Sequence, residues 1–393
     1  MARPLALQPN EWLNWVMALT GRTRAAVIGS AQTDLRGAHS DRQHIDLITE
    51  AVTSALRGTG LRMTDVDFVI DSGSDFLDGR SISNCGFLGG MGANHKEESR
   101  VEEDGLWSAV YAASKILSGS GSVGLVVAYS KSSESDPRNY WSTLAEPFTQ
   151  RPVGLDHNSA AGLYAQRYLN QYGIDASALR DVSERAWSAA THNAQVDADL
   201  SMLDDPAWDD MIAAPLRRRD MARPVDGAVA MLVASEHVAR QIDRRPVWIT
   251  GMGSAIDQHF LAAREPSSLP AAQAAAQAAF RMSGATSARD FDVVEVSAGS
   301  TVGELMLLEA LGLAEPGRAI ELYGVGASPG LNPSGGALPA DVVMASGLIR
   351  LHEVASQLAG RSERPVEGAV RGLAHGSGGL GMQNHCVVTL ETS

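Results

Sequence analysis

Residues 99–119, SRVEEDGLWSAVYAASKILSG, place three carboxylates, Glu102, Glu103 and Asp104, just before a glycine that starts an amphipathic helix. Acidic side chains at a helix start meet exposed backbone N–H groups and the positive end of the dipole, so they cap the helix. The same position can carry a nucleophile or an oxyanion site, because those N–H groups point at any anion formed there. The residue types favour caps and solvated or interface charges. Cys85 and Cys386 are isolated thiols, too few for a disulfide framework or a zinc site. His352 falls on a helix face and His385 in a terminal strand, which are structural settings. Gly335, Gly336, Gly378 and Gly379 lie in glycine-rich stretches that lack the spacing and lysine of a phosphate-binding loop, so they serve backbone geometry and close approach.

With 393 residues the chain is long enough for two or three domain-sized cores. Its net charge of -14 argues against nucleic-acid binding, which needs a basic surface. The basic run LRRRD around Arg217 is bracketed by acids and reads as a solvated loop. No stretch is apolar over the ~18 or more residues that a membrane span needs. Residues 1–24 lack a basic start followed by a long apolar run, so no signal peptide is expected. With so few cysteines, the reducing cytoplasm is the expected compartment. Trp12, Trp15 and Val16 predict a short amphipathic helix that docks on the body or on a partner.

Strand and helix signals alternate. RAAVIGSA (24–31) reads as a strand, HIDLITEAVTSALRGTG (44–60) as a helix and VDFVIDSG (66–73) as a second strand; the helix at 105–119 and a buried strand at 123–130 follow. Apolar runs between helices predict a sheet covered on both faces. The second half repeats this order. RPVWITGMGSA (245–255) matches the first strand, LPAAQAAAQAAFRMSGAT (269–286) the first helix and FDVVEVSAGS (291–300) the second strand. GLWSAVYAASKILSG (105–119) pairs with GLIRLHEVASQLAG (347–360): both open Gly-Leu, carry Ala-Ser near the middle and end at a C-cap glycine. Strands at 227–236 and 385–392 close the halves. The expected organisation is an extension over 1–23, a first half over 24–240 carrying a cap at about 132–222, and a second half over 241–393. The two Gly-Leu helices are then pseudo-symmetric, with their starts close together at the centre.

LNPSGGALPADVVMASGLIRLHEVASQLAG (331–360), FDVVEVSAGSTVGELMLLEALGL (291–313), RPVDGAVAMLVASE (223–236) and GLAHGSGGLGMQNHCVVTL (372–390) resemble the thiolase superfamily, in its lipid-transfer-protein-like branch. The resemblance runs from Arg24 to Ser393. It implies an α/β thiolase fold: duplicated βαβαβαββ halves in a five-layer α-β-α-β-α architecture. It also implies where catalytic groups stand. Counting from Gly105, the acyl-accepting cysteine of thiolases is replaced by Glu102. The His or Asn after the strand falls on Ser297, the histidine of the Gly-His-Pro motif on Asp341, and the second cysteine on His375 in a glycine-rich loop.

A carboxylate cannot carry out a thiol's transthioesterification. Among relatives, the chain is closest in style to aldolases that have lost the cysteine and cleave β-hydroxyacyl-CoA intermediates of steroid breakdown. Retro-aldol cleavage needs a base for the β-hydroxyl proton, donors for the thioester oxygen and an acid for the enolate carbon. The resemblance thus points to Asp341 or His375 as base or acid, with N–H groups from each helix start. Ser297 is an oxyanion donor, and Glu102 and Glu103 are secondary candidates. Gly335, Gly336, Gly378 and Gly379 line the substrate, no metal is used, and coenzyme A enters only as part of the substrate. The implied partners are a second copy of the chain and a small zinc-ribbon/OB-fold protein. Two other readings fit the same losses: a non-catalytic thiolase-like subunit of a heteromeric enzyme, and an atypical thiolase or acyltransferase. The cap aromatics Trp141, Phe148, Tyr164, Tyr168 and Trp187 predict a roomy apolar pocket.

Overall fold

The computed structural model describes residues 24–324 and 328–392. The segment with Trp12, Trp15 and Val16 lies outside the described residues. The strands are β1 (Ala25–Gln32), β2 (Phe68–Ser72), β3 (Glu97–Val101), β4 (Val123–Lys131), β5 (Met211–Ala213), β6 (Leu216–Arg217), β7 (Asp226–Ser235), β8 (Val247–Ile256), β9 (Val293–Val296), β10 (Arg371–Gly378) and β11 (Asn384–Thr392). The α-helices are α1 (His44–Thr59), α2 (Leu88–Met91), α3 (Gly105–Leu117), α4 (Pro137–Thr143), α5 (His157–Tyr172), α6 (Leu179–Ala190), α7 (Glu236–Ile242), α8 (Pro270–Ser283), α9 (Thr301–Ala310) and α10 (Ser346–Leu358).

Pairing records the duplication. The strand order is β3-β2-β4-β7-β1-β8-β11-β10-β9. Outward from the centre, β1/β7 and β7/β4 are antiparallel and β4/β2 is parallel. On the other side β8/β11 and β11/β10 are antiparallel and β10/β9 is parallel. The central strands of the two halves, β1 and β8, pair antiparallel through Ala26 opposite Trp248 and Val27 opposite Val247. Edge strand β3 has no counterpart, and its residues form a strand rather than the lead-in to a helix.

Three apolar clusters define the layers. One packs α1 on β1, β2, β4 and β7 through Leu47, Ile48, Val69 and Leu125. One packs α8 and α9 on the second half, together with α5 and α6 of the cap. The third lies between the two halves of the nine-stranded sheet and joins Leu106, Ala109 and Ile116 of α3 with Leu348, Ile349 and Leu351 of α10. The layers run helix, first half of the sheet, helix pair, second half of the sheet, helix. In α3 the apolar residues recur every three or four positions, as one buried helix face requires. The glycines opening α3 and α10 have a packing reason: a Cβ on Gly105 would press on Ala128 and Leu348, and one on Gly347 would overlap the Asp104 carboxylate.

Asn-Pro-Ser-Gly-Gly (332–336) knits this centre together. Asn332 accepts from the Val296 N–H at 2.8 Å. Ser334 donates its N–H (2.9 Å) and hydroxyl (2.8 Å) to Glu295, which also pairs with Arg350 of α10 at 2.9 Å. Gly335 (φ 102°) lets the backbone approach α6, where a Cβ would press on the Ala186 carbonyl; Gly336 (φ 68°) packs on the Asn332 amide. Glu295 and Arg350 are both buried, so removing one strands the other. Arg350→Met is expected to lower unfolding free energy by about 3–5 kcal/mol in chemical denaturation. Adding Glu295→Leu should recover part of that loss.

Candidate active site

The two inner helices begin side by side, and a single carboxylate closes both. Asp104 is the N-cap of α3. Its Oδ1 accepts from the Leu106 N–H and its Oδ2 from the Gly347 N–H, each at 2.9 Å. The neighbouring amides are occupied as well: Gly105 donates to the Met344 carbonyl, Trp107 to that of Asp104 and Ser346 to that of Val342. Capping is therefore the role of Asp104. It also corrects the expectation that the helix starts donate to a substrate oxygen, because the amides there already have internal acceptors.

Beside Asp104 lies a cavity of about 40 Å³. Seven segments line it: Glu103 and Asp104 before α3, Tyr140 and Trp141 of α4, His157 opening α5, Ser297 to Gly299 after β9, Asp341, Val343, Met344 and Ser346 before and at the start of α10, Ser377 to Gly379 at the end of β10, and Met382 before β11. A second compartment of about 420 Å³ shares Trp141, His157, Asp341 and Val343 with it. That compartment adds apolar Trp208, Ile212 and Met221 and the cations Arg138, Arg218 and Arg223.

Three carboxyl groups share the small cavity, and burial raises the pKa of each. Asp104 is pushed up to about 7 against the pull of its two amide donors. Glu103 is raised by burial although the Asn384 amide donates to it. Asp341 is raised by burial although the Ser346 hydroxyl donates to it at 2.5 Å and Arg350 lies nearby. Neighbouring acids in poorly solvated surroundings resist simultaneous ionisation. Asp104 can thus exchange a proton near neutral pH, and Glu103 and Asp341 are shifted in the same direction, toward the range general acid–base chemistry uses.

Of the expected residues, Asp341, Ser297, Gly378 and Gly379 line this cavity, as does Glu103. Ser377 donates to the Ser297 carbonyl at 2.9 Å. A Cβ on Gly378 would overlap the Glu103 carboxylate. Glu102 is displaced: it points out, takes the Asp75 N–H at 2.8 Å and pairs with Arg100 at 3.0 Å. His375 is displaced too. Residues 371–378 form a strand, not a loop, and strand alternation turns Gly376 toward Asp104 and Leu106. The His375 side chain then faces the opposite way, where its Nε2 lies 3.0 Å from Nδ1 of His385 in a buried imidazole pair. Gly335 and Gly336 line neither compartment, because they are the packing glycines beside α6 and Asn332.

Neither thiol lines these compartments. Cys85 is exposed, and Cys386 is buried in β11 with its pKa raised by burial and the nearby acids. Among the described residues no group of three or more His, Cys, Asp or Glu could hold a metal ion, and no helix is long and apolar enough to cross a membrane. Of the cap aromatics singled out, Trp141 alone lines the compartments. Trp187 and Tyr168 are core, Tyr164 is buried, and Phe148 is exposed.

His157 and Tyr140 were missed by sequence reasoning. The signal for His157 was present: Asp156 and Ser159 form a capping box that puts the histidine on the first turn of α5. Only the packing of the cap turns that start toward Asp341. Arg264 is a third such residue, donating to the carbonyls of Leu380 (2.8 Å) and Gly381 (3.3 Å) and so holding the turn that follows β10.

Similarity to known proteins agrees with this architecture. Residues 253–391 match the family described as "Thiolase C-terminal domain-like". The chain is 28% identical to an acetyl-CoA acetyltransferase of Methanothermobacter thermautotrophicus, over 91% of this chain and 96% of that protein. It is also 28% identical to a 17-hydroxy-3-oxo-4-pregnene-20-carboxyl-CoA lyase of Mycobacterium tuberculosis, over 88% and 94%. Among solved structures, the Ltp2-ChsH2(DUF35) aldolase superposes with a TM-score of 0.78 at 21% identity, covering 94% of this chain and 97% of that one. Human mitochondrial 3-ketoacyl-CoA thiolase gives 0.70 at 16% identity, covering 94% and 99%. The protein therefore has the thiolase fold, with a thiolase C-terminal domain over 253–391. Its homologues include steroid side-chain-cleaving aldolases as well as the acetyltransferase.

Asp104→Ala leaves two buried helix-start amides without their acceptor and should cost about 2–4 kcal/mol in denaturant unfolding. The pH dependence has a definite sign. A carboxyl whose pKa is raised on folding contributes stability at low pH and loses it as pH rises. Between about pH 4 and about pH 7, the stability of the wild type relative to Asp104→Asn should therefore fall with rising pH, as followed by unfolding at a series of pH values.

Proposed function

We propose that this protein is an acyl-CoA carbon–carbon lyase that cleaves a β-hydroxyacyl-CoA by a retro-aldol reaction, with no cysteine nucleophile. The observation that carries this reading is the small cavity at the two helix starts, where proton-holding carboxyls stand and neither thiol is present. Asp341 moves a proton there, since its buried carboxyl is held protonated more readily than a solvated one. Ser297 donates to the thioester oxygen as the enolate develops. Gly378 and Gly379 allow the substrate to approach the backbone. The neighbouring compartment suits the rest of a thioester, with apolar walls for an acyl or pantetheine chain and arginines for phosphate groups. A bulky, steroid-like acyl group fits the names of the aldolase and lyase relatives.

Coenzyme A enters as part of the substrate and no permanent cofactor is invoked. We also propose a cytoplasmic homodimer and a zinc-ribbon/OB-fold partner, the latter supported by the partner named with the Ltp2 aldolase. Acyl transfer is the second reading, favoured by the acetyltransferase relative. It requires a thiol that can reach the thioester, and the raised pKa of buried Cys386 counts against it.

The test is incubation of the protein, alone and co-expressed with proteins encoded beside it, with β-hydroxyacyl-CoA esters. Release of an aldehyde or ketone together with a shortened acyl-CoA is expected. Asp341→Asn should lower kcat by about a hundredfold or more. A trapped acyl-enzyme thioester on Cys85 or Cys386 would refute the reading in favour of acyl transfer.

A further inference from the structure

His157 is the one imidazole lining the small cavity, and it also lines the larger compartment together with Asp341 and Trp141. It therefore stands where a thioester reaching from one compartment into the other would pass. Its ring is held on two sides. Trp141 stacks on it with centroids 4.9 Å apart and planes 28° from parallel, and Gly299 leaves room that a Cβ would take from the ring edge. The Asp156 capping box fixes the backbone beneath it. Yet its Nδ1 is buried with no hydrogen-bond partner. Buried nitrogens of His44, His375 and His385 lack a hydrogen-bond partner too, but among these four histidines His157 alone lines the two compartments, so its open nitrogen is the one placed to take a proton from a substrate there.

We propose that His157 and Asp341 form the proton-transfer pair of this site, with neutral His157 as the base for the substrate β-hydroxyl and the protonated Asp341 carboxyl as the acid for the α-carbon. This rests on the retro-aldol reading and deepens it. The imidazole takes the hydroxyl proton, and the oxygen's electron pair forms the carbonyl. The Cα–Cβ bond then breaks, and its electrons pass into the thioester as an enolate. The Asp341 proton goes to Cα, and the imidazolium returns a proton to the Asp341 carboxylate. One β-hydroxyacyl thioester becomes one carbonyl compound and one shortened thioester, with no oxidant or added reactant.

The surroundings suit these states. Burial lowers the His157 pKa, against the Gly299 backbone and Asp156, so the ring is neutral; burial raises that of Asp341. The charged groups around the ring are Asp156 on its own helix, Arg138 of α4 paired with Asp156 at 2.6 Å, Glu103 and Asp104 before α3, Asp341 before α10, and Arg218 and Arg223 across the larger compartment.

The experiment measures carbonyl release from a panel of esters running from β-hydroxy-β-phenylpropionyl-CoA to a β-hydroxylated steroid side-chain thioester, with wild type, His157→Asn and His157→Ala. The variants are checked for wild-type melting behaviour. For wild type, kcat/KM should fall at acid pH as His157 takes up a proton and at alkaline pH as Asp341 loses one. His157→Asn should lower kcat by about a hundredfold or more and abolish the acid limb. In His157→Ala, added imidazoles should restore turnover at rates that follow their basicity, which restored packing would not produce. If wild type turns over while His157→Asn keeps its kcat within threefold and retains the acid limb, the pair is refuted and the retro-aldol reading stands. If no ester in the panel releases a carbonyl compound, the retro-aldol reading falls and the pair with it.

Discussion

The centre of this molecule depends on one carboxylate that accepts from two helix starts at once. Asp104 binds the Leu106 and Gly347 amides with its two oxygens, and Gly105 and Gly347 allow the backbones to come close enough for it to do so. Each half of the duplicated scaffold supplies one buried helix, and each helix brings N–H groups that must find an acceptor away from water. Here they are committed to a fixed side chain, which leaves the chemistry to the groups around it.

Those groups are acids rather than thiols. Glu103, Asp104 and Asp341 share a space that admits only a small reacting centre, and burial raises the pKa of all three. The cap adds Tyr140, Trp141 and His157 to that space and also lines the second, larger compartment, which shares Asp341 with the first.

The scaffold holds these groups through a second set of buried charges. The Asn-Pro-Ser-Gly-Gly segment ties β9 to α10 through Glu295 and Arg350, one turn beyond the Ser346 hydroxyl that donates to Asp341. Its glycines serve the meeting of this segment with α6, so a motif that resembles a ligand-binding loop in sequence acts here as a brace between the cap and the inner helix.

Much of the architecture was legible in the chain by itself. Apolar runs alternating with helical periods, repeated in the same order, determine two equivalent halves, and the paired Gly-Leu starts determine where they meet. Resemblance to the thiolase superfamily places Asp341, by counting back from Gly347, Ser297, by its position after the strand now seen as β9, and the glycines at 378 and 379. All four line the small cavity, because short offsets from a strand end or helix start survive folding. Side-chain direction could not be counted in the same way. His375 sits in a strand, where a single position decides which face a residue occupies, and Glu102 lies just beyond β3, where Arg100 and the Asp75 amide draw its carboxylate outward. His157 and Tyr140 come from a cap with no counterpart in the other half. Their place beside Asp341 was decided only by tertiary packing, since no local spacing links segments that are so far apart in the chain.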